Sequence, residues 1–318
     1  MATGEQIKSL IKAYKSRDDE KFRTVVLQIA AHEAKLGHAG IAQELRKEAD
    51  SIRNHASVLR LPVQNPMLQC YSPTVRLNEL IVSESVVSKI KRILIEYQNR
   101  NKLYNSGLSN RRHILLEGNP GTGKTMTASI IATELDLRLF VVQVDKLVTK
   151  FMGETSSRLR QIFESMIDSP GVYLFDEFDA IGADRSLDNE VGEMRRILNS
   201  LLQFIESDTS ESIILAATNN PQMLDKALFR RFDDVIHYDL PDADQIRKLY
   251  EIKLDGYLAE SVIDDQVIER SLGLSHSEIA RICDDAMKDS ILYGVTTDKN
   301  KLLLLLEERH QAYQGKEA

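Results

Sequence analysis

Residues 113–125, HILLEGNPGTGKT, constrain this chain more than any other stretch. Ile114, Leu115 and Leu116 read as a short buried strand, the glycines behind them as a tight turn, and Lys124-Thr125 as the opening of a helix. Gly118 and Gly123 bracket the spacing GxxxxGK[ST], in which bare backbone N–H groups wrap a β-phosphate at a helix N-terminus. The candidate nucleotide contacts are therefore Gly118, Asn119, Pro120, Gly121, Thr122, Gly123, Lys124, Thr125 and Met126. In this pattern Lys124 reaches the β/γ oxygens and the Thr125 hydroxyl is offered to Mg²⁺. Gly-Thr-Gly alone also makes an ordinary turn, but the strand in front and the Lys-Thr pair at the correct offset favour phosphate binding.

Four further apolar runs read as strands: 139–144 (LFVVQV), 171–175 (GVYLF), 212–217 (SIILAA) and a short one at 235–238. Helical patterns separate them, so the expected core is α/β, a five-stranded parallel sheet between helices. Such sheets bind ligands beyond the carboxyl ends of their strands. GVYLF runs there into Asp176-Glu177-Phe178-Asp179, and SIILAA into Thr218-Asn219-Asn220. Beside a phosphate loop, Asp176 can hold the Mg²⁺ shell while Glu177 polarises the attacking water, two roles that one carboxylate cannot fill together. Asn219 can orient that water through its amide. A solvated acidic turn is the plain alternative, and the apolar run leading into it argues against that.

Residues 1–58 read as a helical docking module. Ile7, Leu10, Ile11 and Tyr14 form one apolar face, Phe22, Val25, Val26, Ile29 and Ala30 a second, and Ile41, Leu45, Ala49 and Ile52 a third. Gly37 suits the end of the second helix. His32-Glu33 resembles the start of HExxH, but Leu36 stands at the fifth position, so no metalloprotease is expected. Residues 59–76 hold Pro62, Pro66 and Pro73, three of the seven prolines, and read as a linker. Residues 77–242 carry the α/β domain, entered through a helix with Val86, Ile90, Ile93, Leu94 and Tyr97 on one face. Residues 243–318 read as a smaller helical domain.

Composition excludes several classes. The longest uninterrupted run of leucines, 302–306, lies between Lys301 and Glu307, far short of the roughly 20 residues of a membrane span. The opening MATGEQIKSL has no apolar core, so neither secretion nor a membrane is expected. Two cysteines outside any CxxC pair argue for a reducing, cytoplasmic compartment without disulfide or zinc site. The net charge is −7 and neither end is a basic patch, which disfavours nucleic acid as the main partner.

The ordered set GNPGTGKT, VYLFDEFD, AATNNP and ALFRRFDD resembles Walker A, Walker B, sensor 1 and the arginine-finger segment of AAA+ ATPases of the protein-remodelling branch. The resemblance covers residues 77–295. It implies ATP and Mg²⁺ as cofactors, a helical lid over 243–318, a hexameric ring of identical subunits, and active sites completed by a neighbour. By that pattern Arg230 and Arg231 reach the γ-phosphate of the adjacent protomer. On the residues alone, an arginine pair before Phe232 reads equally as a surface salt-bridge pair. Lys150-Phe151-Met152-Gly153-Glu154 resembles the pore loop of protein translocases, implying a protein client, whereas a Phe-Met pair elsewhere is usually core.

There are departures from the pattern. Asn119 stands where proline is commoner, the arginine segment is short, and Gly273-Leu-Ser-His-Ser-Glu-Ile279, which resembles GxSGADI, brings no arginine at the second-sensor position. The amino-terminal helices resemble those of bacterial AAA+ ATPases of the stage V sporulation type. Some of these are encoded beside a subtilisin-like serine protease in plasmid-incompatibility and antiphage systems, which implies a serine protease partner in trans and a role in antiviral defence.

Three functions compete: a motor that unfolds or remodels proteins, a DNA-associated loader or initiator, and a slow regulatory nucleotide switch. Phe151 favours the first, the missing basic cluster counts against the second, and the intact Asp176-Glu177 pair counts against the third.

Overall fold

The structure, a computed structural model, describes residues 8, 19–35, 37–38, 40–46, 65–144, 152–178, 191–224, 229–258 and 262–314. The chain divides into two compact units, 1–64 and 65–318. In the first, α1 (Asp19–Lys35) is the second helix read from the sequence, with Val25, Val26 and Ala30 buried along it. Gly37 takes a left-handed φ of 89°, so its N–H reaches Ala34 O (3.2 Å) and that of His38 reaches Glu33 O (3.0 Å), a two-bond C-terminal cap. The His38 ring is hydrogen-bonded to Glu33 at 2.7 Å. Residues 40–46 are helical; the remaining amino-terminal readings lie outside the described residues.

The second unit contains β1 (Leu68–Tyr71), α2 (Glu84–Gln98), α3 (Arg100–Asn105), β2 (His113–Gly118), α4 (Lys124–Glu134), β3 (Leu139–Val142), α5 (Met152–Asp168), β4 (Val172–Phe175), α6 (Val191–Ser207), β5 (Ile213–Thr218) and β6 (Asp234–Tyr238). The helices α7 (Ala243–Lys253), α8 (Asp265–Ser271), α9 (His276–Tyr293) and α10 (Lys299–Gln314) follow. The six strands lie in the order β1-β3-β4-β5-β2-β6, and β2 to β6 are parallel as expected. The sixth strand was not expected. β1 pairs antiparallel with β3, Leu68 opposite Val142 and Tyr71 opposite Leu139, inside the stretch read as a linker. Pro66 and Pro73 bracket this strand, as residues without an N–H can at a sheet edge, and Met67 beside it is buried.

Alternation along β2 divides the core. Ile114 and Leu116 pack with Ile90, Ile93, Ile130 and Ile131 of α2 and α4; Leu115 faces Leu159, Ile162, Leu201 and Ile205 of α5 and α6. The five residues read as the apolar face of α2 are its five buried ones. Four helices, α7 to α10, share a third core around Tyr250, Ile279, Ile282 and Leu302, with Ile81 packed against it.

At the amino-terminal ends of the strands an ion cluster fixes the sheet edge. Asp208 has a carboxylate only 2% exposed; Arg112 donates to that carboxylate, to the Asp208 carbonyl and to Ser210 O (2.6 Å), while Ser210 N donates to Asp208 Oδ1 at 3.0 Å. Burial pushes the Asp208 carboxyl up, but hydrogen bonds from His113 and Ser210 and the Arg112 charge outweigh it and hold the pKa below the ordinary value. A depressed pKa stabilises the fold above the unfolded-state value and is lost as pH falls through the folded one. Urea unfolding should therefore show this contribution intact from pH 7 to 5 and fading below about pH 4. Asp208→Ala should cost about 3 kcal/mol at pH 7 and flatten the acid limb; an unaltered acid limb would contradict the assignment.

Candidate functional site

The register brings three strand ends to one edge. Phe175 of β4 lies opposite Ala216 of β5, and Glu117 of β2 opposite Thr218 of β5, so Asp176-Glu177, Gly118-Asn119 and Asn219 all leave the sheet together. The phosphate loop is shaped by close packing. Gly118 has φ 141°, and a Cβ there would stand 2.1 Å from the Tyr238 carbonyl oxygen; only glycine fits against β6. Thr122 donates its hydroxyl to Asn119 O at 2.7 Å, and Gly123, with φ 107°, is the N-cap of α4. Within α4, the Thr127 hydroxyl meets that of Tyr238 at 2.6 Å, tying the helix to β6 beneath the loop.

Lys124 is 6% exposed, and its ammonium donates to Gly118 O (2.7 Å) and Asn119 O (2.8 Å). A triphosphate offers that charge anionic oxygens in place of neutral carbonyls, a stronger partner for each N–H bond. Thr125 Oγ1 donates to Asp176 Oδ2 at 2.9 Å, and Asp176 Oδ1 accepts from Glu177 N at 2.9 Å. Hydroxyl and carboxylate are thus hard oxygen donors held side by side, the set that suits Mg²⁺ when nucleotide phosphates complete its shell. Among the described residues no group of three His, Cys, Asp or Glu could hold a metal by itself.

Glu177 is exposed and has φ 51°, one of two non-glycine residues with positive φ among those described. That left-handed conformation costs about 1 to 3 kcal/mol. It turns the chain so that Glu177 faces out while Phe178 returns to the core, its N–H on Ala217 O at 2.8 Å and its side chain fully buried. Asn219 sits partly buried one residue past β5, where Asn220 N donates to Thr218 Oγ1 at 3.1 Å.

The arginine pair divides. Arg230 is exposed, while Arg231, also exposed, forms an ion pair with Glu206 of α6. The salt-bridge alternative therefore holds for Arg231 within this chain, and such half-exposed pairs are worth about 1 kcal/mol or less. Lys150 and Phe151 lie outside the described residues; Met152 and Gly153, read as loop, form the first turn of α5.

One site element was only half legible. Ser275-His-Ser-Glu278 is an SxxE capping box, and the structure shows Ser275 N on Glu278 Oε2 at 2.6 Å. What the spacing does not reveal is where this helix start goes. Ser277 N donates to Gly121 O at 3.0 Å, and a Cβ on Gly121 would fall 2.1 Å from Ser277 Oγ, so the C-terminal helices close directly on the phosphate loop. Burial lowers the His276 pKa there, so the ring is neutral at pH 7.

A phosphate loop ending an interior strand, with an acid pair ending the next strand but one, defines a nucleotide-hydrolysing domain of the P-loop class. The model of the ATPase family associated with various cellular activities (AAA) matches residues 114–240. An uncharacterized AAA family ATPase, y4kL, of Sinorhizobium fredii is 34% identical over 303 residues, spanning 92% of this chain and 90% of that one. The chain belongs to the AAA family, and it is an ATPase. The ATP-dependent zinc metalloprotease FtsH of Helicobacter pylori is 31% identical over 69% of this chain, which spans only 36% of that protein. The crystal structure of the FIGL-1 AAA domain superposes with a TM-score of 0.59 at 20% identity, covering 78% of this chain and 90% of that one, a likeness of fold.

Proposed function

We propose that this ATPase works as a hexameric ring that remodels, unfolds or translocates protein clients in the cytoplasm, with ATP and Mg²⁺ as cofactors. The observation that carries the hydrolytic part of this reading is the Asp176 carboxylate at the phosphate loop, which accepts from the Thr125 hydroxyl and from the Glu177 backbone N–H, each at 2.9 Å. Thr125 and Asp176 are the residues that would hold Mg²⁺, which when bound would supply positive charge beside the transferring phosphoryl group. Lys124 orients the β and γ oxygens, and Asn219 holds the attacking water for Glu177, which takes its proton as the water oxygen bonds to the γ-phosphorus and the ADP oxygen departs. Arg230, with Arg231 once released from Glu206, stabilises the same transfer in the adjacent subunit. The small helical domain 243–318 serves as the lid, and residues 1–58 dock clients or partners.

Relatives named as a zinc metalloprotease and as putative proteasome regulatory subunit homologues support the choice of a protein client. A serine protease acting in trans, and with it a role in antiviral defence, rests on the resemblance of the amino-terminal helices to the stage V sporulation type; co-purification with a subtilisin-like protease tests it. A DNA loader or slow switch is the reading left if no protein client is acted upon.

The test uses Phe151 in the segment preceding α5. Phe151→Ala should keep basal ATP hydrolysis within a few fold and its melting temperature, yet lose ATP-dependent unfolding of a tagged client. A packing role would instead lower stability by about 3 to 5 kcal/mol and ATPase with it. Normal melting, hydrolysis and unfolding together would show that Phe151 grips nothing.

A further inference from the structure

Phe178 and Phe232 meet edge to face in the core, ring centroids 6.3 Å apart and planes at 82°. Each is covalently next to a residue of the chemistry: Phe178 follows Glu177, and Phe232 follows Arg230-Arg231. Phe178 is fully buried and Phe232 is 7% exposed, in one cluster with Leu224 and, packed against it, Phe229. Besides the Arg231–Glu206 ion pair, the arginine segment is held by Asp233, whose N–H donates to His113 O at 2.8 Å and whose carboxylate accepts from Arg112 N and His113 N, each at 2.9 Å. Asp233 ties the segment to the start of β2, away from the phosphates; Phe232 ties it to the end of β4, next to the acid pair.

We infer that the Phe178–Phe232 contact makes the position of Arg230 and Arg231 depend on the state of Glu177, so that one subunit's nucleotide site sets how well the next subunit's site is completed. This rests on the reading that the arginines act in trans. The element with two arrangements is the Glu177 peptide. Its left-handed φ of 51° is strained for a residue with a side chain, and relaxing it rotates the following residue. Phe178 packs edge to face on Phe232, and a close-packed core passes a displacement of one ring on to the other. Phe232 is the neighbour whose displacement moves the arginines, since Asp233 fixes the chain just beyond it and acts as the pivot. Phe178 and Phe232 are positioning residues; neither touches the reacting atoms.

The experiment compares wild type, Phe178→Leu, Phe232→Leu and the double variant in the full chain, measuring ATPase rate against ATP concentration, affinity for a fluorescent ATP analogue, and melting temperature. Leucine keeps an apolar side chain in the core while removing the edge-to-face contact, and Phe232→Met stands in if a leucine variant does not fold. Wild type should hydrolyse ATP cooperatively. Each single variant should lose that cooperativity, with the site–site coupling falling about 5-fold or more, while analogue affinity stays within about 2-fold. The double variant should be no worse than either single one, since a shared contact can be broken only once. Cooperativity unchanged in both single variants, losses that add in the double variant alongside falling stability, or a wild type without cooperativity would each overturn the inference. The alanine variant of both arginines separates the two levels. If it hydrolyses ATP like wild type, the trans reading fails and this inference with it; if it is inactive while the phenylalanine variants stay cooperative, only the coupling fails.

Discussion

Protein carrying Arg230→Ala and Arg231→Ala together is expected to turn ATP over about 10³ to 10⁵ times more slowly than wild type, the scale of an arginine finger. Nucleotide affinity of the isolated chain should be unchanged, because Arg230 is exposed and Arg231 is bound to Glu206 of α6. The two arginines should not contribute equally. Engaging a neighbour costs Arg231 its Glu206 partner, a small cost for a half-exposed pair, whereas Arg230 has no such exchange to make with Glu206. Arg230→Ala should therefore carry most of the loss, and Glu206→Ala should leave turnover near wild type or raise it slightly. Steady-state ATPase with a binding titration on the same preparations decides this. Equal, small effects of all three changes would remove the arginines from the mechanism.

Glu177→Gln is the second large effect. The amide keeps the shape and the outward direction that the left-handed backbone at 177 imposes, but it cannot accept the proton of the attacking water. Turnover should fall by about 10² to 10⁴, with ATP and Mg²⁺ retained, because Asp176, held by Thr125 and by the 177 peptide N–H, is untouched. Asp176→Asn should behave differently and weaken the dependence on Mg²⁺ as well as the rate. A Glu177→Gln enzyme with normal hydrolysis would mean that another group activates the water.

Much of this site was legible because its parts are local in sequence. GNPGTGKT carries its own turn, helix start and charge, and a short apolar run such as IILAAT, followed by polar residues, suits a buried parallel strand. The face of α2 was readable for the same reason, since a 3.6-residue period survives without tertiary context. What stayed hidden depends on pairs distant in the chain. Gly118 is needed for the Tyr238 carbonyl, 120 residues on, and no spacing rule contains that contact. Ser277 meets Gly121, and Phe232 meets Phe178, through folding alone. β1 was hidden for another reason. Three of its four residues are exposed, so it lacks the apolar run that marks a buried strand, and its prolines read as linker when they act as strand boundaries.

Sites shared between subunits are the centre of this account, and mixing two inactive proteins tests them most directly. Lys124→Ala lacks a working phosphate loop and keeps its arginines; the double arginine variant keeps its loop and lacks the arginines. In a mixed ring, some interfaces join an intact loop to an intact arginine pair. ATPase measured across mixing ratios should rise above both parents and peak near equal proportions. If no ratio exceeds either parent, although labelled subunits are shown to exchange, each chain completes its own site and the shared-site account is wrong.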